Sequence, residues 1–207
     1  MGASQVSESR CVCGKVKLPF LQPRPVLHVH CCCADCRQAQ EWIASKGGPQ
    51  MTQAVTLAYY FVNDLADLKA GDLDLLFSFK LRENGRTTRL ASKCCYSVLA
   101  LDHPYYDKNV VCVHSGSCDL RAPEIEPLSR IFSGGWDAEY DGEMPSKTAS
   151  LEDSNAKWDA FASIVKRPVS EAKGTRLQEI LAQLPPPAIL GLAEKMRLLP
   201  PISSRHR

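Results

Sequence analysis

The sequence predicts a mainly β protein with metal-type thiol sites and a helical C-terminal extension. Three observations carry this. Short apolar segments of strand character recur from residue 16 to residue 113. Ten cysteines are confined to residues 11–118, mostly in clusters. Beyond residue 147 cysteine vanishes and the apolar spacing turns helical.

The cysteines come in three groups. Cys11-Val12-Cys13-Gly14 opens the series, with Gly14 freeing the backbone for a tight turn. Val16 and Leu18 then alternate as a strand, and Pro19, Pro23 and Pro25 interrupt the next segment. Val26 to His30 alternates again and delivers the densest group, Cys31-Cys32-Cys33-Ala34-Asp35-Cys36-Arg37. Thiolates this close together are best explained by a shared soft metal ion. Near-adjacent cysteines reach disulfide geometry only with strain, and residues 1–10 contain no apolar secretory segment.

Cys31, Cys33 and Cys36 offer three corners of a tetrahedron and leave the fourth open, the mark of a catalytic rather than a structural zinc. Cys32 alternates away from its neighbours and is not expected to ligate. His28 or His30 is available as a fourth ligand. Asp35-Cys36-Arg37 opens a short helix running through Ile43, and Lys46-Gly47-Gly48-Pro49 is a loop.

Val55 to Val62 reads as a strand, Leu65 to Leu76 as a short helix or turn broken by Gly71, and Leu75 to Leu81 as a strand. Glu83-Asn84-Gly85-Arg86 is a hairpin turn with Thr87 to Leu90 as its return. The third group, Cys94-Cys95, follows on a knuckle far in sequence from Cys11 and Cys13, the arrangement that closes a four-thiolate site. A vicinal pair does not easily put both sulfurs on one metal, so one of the two is expected to be a spectator. Val110 to Val113 is a strand, Ser115-Gly116-Ser117 a turn, and Cys112 and Cys118 are read as core residues. Ile131, Phe132 and Trp136 are expected in the core.

In the extension, Trp158, Phe161, Ala162 and Val165 mark one helix. Leu177, Ile180, Leu181 and Leu184 mark a second. Pro185-Pro186-Pro187 ends it and starts a third, with Ile189, Leu192, Ala193 and Met196 on one face. The expected division is a flexible N-terminus over 1–10, a zinc domain over 11–146 and a helical extension over 147–207. A formal net charge of +2 gives no electrostatic argument for nucleic acid or membrane. No apolar run is long enough to span a bilayer. Val6 occupies the position where a myristoylation signal needs serine or threonine. A cytoplasmic protein is expected, with the nucleus as the alternative.

Together these pieces resemble the glutathione-dependent formaldehyde-activating enzyme family, also called the CENP-V/GFA domain. Its pattern Cys-x-Cys-Gly-x-Val is matched by Cys11 to Val16, and Cys-His-Cys-x-x-Cys-Arg by Cys31 to Arg37, with Cys32 in place of histidine. Arg-x-Phe-Cys-x-x-Cys-Gly-Ser is matched in part by Arg89 to Ser97, and a Gly-Ser-Leu-Asp turn by Gly116 to Asp119. The resemblance covers about residues 11–146. It implies a coiled, Mss4-like β fold and two zinc sites. One is a closed structural site from Cys11, Cys13 and the late pair Cys94 and Cys95. The other is an open catalytic site on Cys31, Cys33 and Cys36.

Three residues depart from the pattern. Ser92 stands where the late pair should begin, so Cys94 or a weak Ser92 ligand has to complete the closed site. Tyr96 replaces the glycine of the knuckle, and Glu41 lies near the glycine that commonly follows the Cys-Arg segment.

The activity implied is that of a carbon–sulfur lyase acting on the adduct of a thiol such as glutathione with formaldehyde or another small aldehyde. The metal would position the substrate thiolate, and Arg37 would attract a substrate carboxylate. The rival reading is a catalytically inactive, zinc-stabilised interaction module, with the C-terminal helices docking a protein partner. A third reading makes Cys31, Cys32 and Cys33 a redox-sensing cluster.

Overall fold

The computed structural model describes residues 7–50, 55–69, 71–122, 129–131 and 175–193. Ser7–Arg10 (β1) and Lys17–Phe20 (β2) form an antiparallel hairpin around the first thiol knuckle. Asp119–Arg121 (β9) pairs with the other edge of β1, completing a three-stranded sheet in the order β2-β1-β9. Ser7 to Arg10 therefore depart from the flexible N-terminus expected of them. Their sequence has no apolar alternation, but Ser7 and Ser9 point inward as buried polar residues. Ser9 Oγ donates to the Leu99 carbonyl at 3.1 Å.

Among the described residues the second sheet has eight strands. They are Leu27–Cys31 (β3), Val55–Phe61 (β4), Leu76–Lys80 (β5), Thr88–Ser92 (β6), Val98–Asp102 (β7), Val110–Ser115 (β8), Ser129–Ile131 (β10) and Ala188–Ile189 (β11). Their order is β10-β3-β4-β8-β7-β6-β5-β11, antiparallel except that β10 and β11 join the two edges in parallel. The mainly β expectation holds.

Both faces of this sheet are covered, which explains why β4 reads as a continuous apolar run rather than an alternating one. On one face Ala58 and Tyr60 meet Leu18 and Phe20 of the β1–β2 hairpin, with the Phe20 and Tyr60 rings stacked at 4.1 Å. On the other face Leu57 and Tyr59 meet Cys31, Cys36 and Tyr106. Cys112 and Cys118 are buried core residues, as expected.

The helix Ala34–Ser45 (α1) lies against this second face. Cys36, Ala39, Gln40 and Ile43 are its buried side, at the i, i+3, i+4, i+7 spacing that places residues on one stripe. Gly47, in the left-handed conformation, ends it: Gly47 N donates to Ala44 O and Gly48 N to Ile43 O. The segment expected as a short helix or turn over 65–76 contains a single 3-10 turn at Asp72–Leu75, and another 3-10 turn precedes it at Val62–Asp64.

The extension divides differently from its expectation. Leu177–Gln183 (α2) is the helix predicted there, and Leu177 and Ile180 are buried in the core shared by the two sheets. The third helix is not formed over the described residues. Ala188–Ile189 instead pair with β5, and Leu190 N and Leu192 N donate to Lys80 O and Leu81 O. An open strand edge offered unpaired backbone groups, and a three-proline entry favours extended chain over helix. Phe132, Trp136, Met196 and the helix at 158–165 lie outside the described residues. No helix among the described residues is long and apolar enough to cross a membrane.

His114 on β8 is fully buried, with Gln40 Nε2 donating to its Nδ1 at 2.9 Å. Burial pushes its pKa down to about 3. The unfolded chain, with an ordinary histidine near 6.5, binds the extra proton throughout the window between the two values. Stability is therefore expected to fall as pH drops from about 6.5 to 3, by about 1.4 kcal/mol per pH unit for this residue. Denaturant unfolding across this range checks it: His114→Gln should show the flatter pH dependence.

Candidate metal centres

Two knuckles build the first thiol cluster. In the turn between β1 and β2, Gly14 N donates to Cys11 O at 2.8 Å, and Val16 N donates to Cys11 Sγ at 3.2 Å. The positive φ of Gly14, 77°, is what lets the chain reverse there. In the turn between β6 and β7, Ser92 N donates to Ser97 O, and Tyr96 N donates to Ser92 O, each at 3.0 Å. A bond from Val12 N to Ser97 Oγ, 3.0 Å, locks the two knuckles together.

The result brings the sulfurs of Cys11, Cys13, Cys94 and Cys95 within 4.8 Å of one another. Measured separations are 3.5 Å for Cys11–Cys13, 3.2 Å for Cys13–Cys94, 3.8 Å for Cys11–Cys94 and 3.9 Å for Cys94–Cys95. Four sulfurs at about 2.3 Å from a tetrahedral zinc lie about 3.8 Å apart. The donor set and its spacing fit such an ion.

Both members of the vicinal pair take part in the group, so neither sulfur is turned away from it as the spectator expected from sequence. Ser92 is fully buried beside the group. Its hydroxyl accepts from Ser97 N at 3.2 Å and lies 3.4 Å from Cys95 Sγ. Cys94 supplies the fourth sulfur instead. Against burial, which raises it, the Ser92 and Ser97 hydroxyls bring the Cys95 thiol down to about 6. Burial, with Cys13 beside it, pushes Cys94 up to about 12.

Tyr96 pays for its position by adopting φ 52°, a left-handed conformation costly to a side-chain-bearing residue. Its ring meets Trp42 and Phe77 edge-on, at 6.1 and 5.8 Å. These contacts offset the strain. Tyr96→Ala keeps the strain and loses the ring, whereas Tyr96→Gly loses both. The glycine variant is therefore expected to be the more stable of the two by about 1 kcal/mol in denaturant unfolding.

The second cluster sits where β3 meets α1. Cys31 ends the strand, Cys33 caps the helix and Cys36 lies in its first turn. Cys33 Sγ accepts from Cys36 N at 3.4 Å and lies 3.4 Å from Cys31 Sγ. All three sulfurs fall within 4.8 Å of one another. Hydrogen bonds from Cys31 and then Cys36 hold the Cys33 thiol well below its usual range, with Arg89 adding to the effect. The helix N-terminus favours the same charge. Among the described residues this group has three members, and neither His28 nor His30 joins it. Thr56 Oγ1 lies 3.2 Å from His30 Nδ1. Cys32 is buried outside the group, as its alternation predicted.

The three-sulfur cluster differs from the four-sulfur one in its surroundings. Cys31, Cys33 and Cys36 line a cavity of about 490 Å³, in the range of small-molecule sites. Tyr59, Tyr106, Leu57, Leu101 and Ile131 contribute apolar and aromatic lining, and Arg82, Arg86 and Arg89 contribute a cationic one. Arg37 is not part of this lining. Its Nε faces Glu41 at 3.9 Å, one turn along α1. The three arginines were missed as site residues in the sequence. Their signal is their place on the β5–β6 hairpin and its return strand, which only the sheet topology brings opposite α1.

No curated protein and no solved structure matches the chain. The family model of the glutathione-dependent formaldehyde-activating enzyme matches residues 6–134, which spans β1 through β10 and both thiol clusters and leaves out the extension. The chain belongs to the glutathione-dependent formaldehyde-activating enzyme family.

Proposed function

We propose that the protein is a zinc-dependent carbon–sulfur lyase acting on adducts of a glutathione-type thiol with formaldehyde or another small aldehyde. The observation that carries this reading is the contrast between the clusters. Four sulfurs close around one centre, while three sulfurs form part of a cavity wall. In this reading Cys11, Cys13, Cys94 and Cys95 hold a structural zinc, and Cys31, Cys33 and Cys36 hold a second one with a position to spare. A zinc ion bound there lowers the pKa of a coordinated thiol and so supplies a thiolate at neutral pH.

The reaction breaks the carbon–sulfur bond of the hydroxymethyl thioether. Sulfur keeps the bonding pair and gains a proton, the hydroxyl loses its proton, and the aldehyde leaves. The chain's own groups orient the adduct. His103, which lines the cavity, accepts from Tyr105 N at Nδ1, 3.0 Å, so the neutral ring carries its proton on Nε2. Burial lowers the His103 pKa and favours this neutral form. In this reading that proton is donated in a hydrogen bond to the adduct's hydroxyl oxygen, where negative charge grows as the hydroxyl proton leaves and before it passes to sulfur.

Membership of the family supports glutathione as the thiol. The packing of α2 into the core supports this helix as part of the fold rather than as a free docking helix. The test is exchange between free and adduct carbon in a mixture of glutathione and formaldehyde, followed by magnetisation-transfer NMR. The enzyme should accelerate the exchange well above the uncatalysed rate. An unchanged rate with glutathione and with other small thiols favours the interaction-module reading.

A further inference from the structure

We infer that Arg89, with Arg86 at the rim, forms a carboxylate subsite in the three-thiol cavity, so that the site selects a thiol carrier bearing a carboxylate. This deepens the proposed lyase reading by naming a feature of its substrate. Arg89 is only 2 % exposed, yet it lines the cavity. Among the described residues its one hydrogen bond runs from an NH2 group to the Asp35 carbonyl at 3.4 Å, and its buried Nε has no partner. A buried guanidinium left with an idle donor is costly unless an anion completes it.

The neighbouring groups do not complete it. Asp35 is the cavity's carboxylate, and its Oδ1 is engaged by both terminal nitrogens of Arg82, at 3.1 Å each. Arg82 donates as well to Gln38 Oε1 at 2.8 Å. Phe79 lies 6.0 Å from the Arg89 guanidinium and offers only a ring face. Three thiolates around a divalent ion carry one net negative charge, which balances one arginine. With Arg82 matched to Asp35, one positive charge remains among the described lining residues for a ligand to neutralise.

The size of the cavity says which half of the adduct brings the carboxylate. A one-carbon aldehyde fills a small part of about 490 Å³, so the thiol carrier has to occupy the rest. An arginine fork suits a carboxylate in two-point contact and rejects a neutral ester.

The test uses S-methylglutathione, whose capped sulfur uncouples binding from turnover, and its dimethyl ester. Isothermal titration of the full-length, metal-loaded protein should show the acid binding about ten-fold or more tighter than the ester. Arg89→Lys keeps the charge and loses the fork, and should abolish most of that preference. Arg86→Gln, at the exposed rim, should reduce it a few-fold without disturbing the fold. Equal binding of acid and ester by the wild-type protein overturns the inference, whether or not Arg89→Lys folds. So does a folded Arg89→Lys variant that keeps the full preference. Acid preference without aldehyde turnover retains the subsite and removes the lyase reading. Turnover without acid preference does the reverse.

Discussion

Cys33→Ser is expected to release one metal ion per chain and to lower aldehyde-adduct turnover by more than about 100-fold. Losing a group that merely supports a metal ligand costs 10–100-fold in affinity or activity, and Cys33 is read as a ligand itself. Its position makes the effect specific. It is the thiol of the trio whose pKa its neighbours hold well below the usual range, and it caps α1 by accepting from Cys36 N. Serine keeps the cap, because a hydroxyl oxygen accepts that N–H well. The helix, and with it the fold, is therefore expected to persist while the metal leaves. Circular dichroism, metal content and NMR exchange measured on one preparation separate these outcomes. A folded, metal-depleted Cys33→Ser protein with wild-type turnover would contradict the account.

Removing metal from the four-thiol cluster should act on stability instead. That cluster ties the β1–β2 hairpin to the β6–β7 turn, so it joins the small sheet to the large one. Structural zinc contributes roughly 10–16 kcal/mol in small zinc-finger peptides, while whole domains are stable by only about 5–15 kcal/mol. Cys11→Ser, or a strong chelator, is therefore expected to unfold much of the molecule at ordinary temperature. The burial of Cys11, Val16, Leu18 and Phe20 in one core means the hairpin cannot detach quietly. Thermal unfolding with and without chelator reads this directly. A chelated, metal-free protein whose Tm stays within a few degrees of the untreated one would show that packing alone holds the sheets together.

The contrast between these variants bears on what the sequence can convey. The spacing of Cys31, Cys33 and Cys36 was enough to set a three-sulfur group apart, because three cysteines within six residues define their own geometry. The partnership of Cys11 and Cys13 with Cys94 and Cys95 came from family resemblance, since a contact across eighty residues has no local signature. Tyr96 and Ser92 stand out in the sequence as departures from the family pattern, but their structural consequence was not legible there. Whether both vicinal sulfurs can face one centre depends on backbone angles such as the left-handed Tyr96.

Apolar patterning, alternating in β3 and nearly continuous in β4 and β8, found these strands because their burial is written in apolar side chains. It missed β1, whose inward residues are serines, and β11, whose two exposed residues join the sheet through backbone bonds alone. The cationic side of the cavity escaped for a related reason. Arg82, Arg86 and Arg89 look like ordinary charged residues of a hairpin until the sheet sets that hairpin opposite α1. Arg37 stood beside the cysteines in sequence, but the helix turns it toward Glu41.

The central claim is that one chain carries a closed and an open thiolate site of different composition. Elemental analysis of protein purified without added metal, alongside a count of free thiols, tests it most directly. Two zinc ions per wild-type chain are expected, falling to one in Cys36→Ser. A wild-type protein with no zinc, its clustered cysteines oxidised to disulfides, would contradict it.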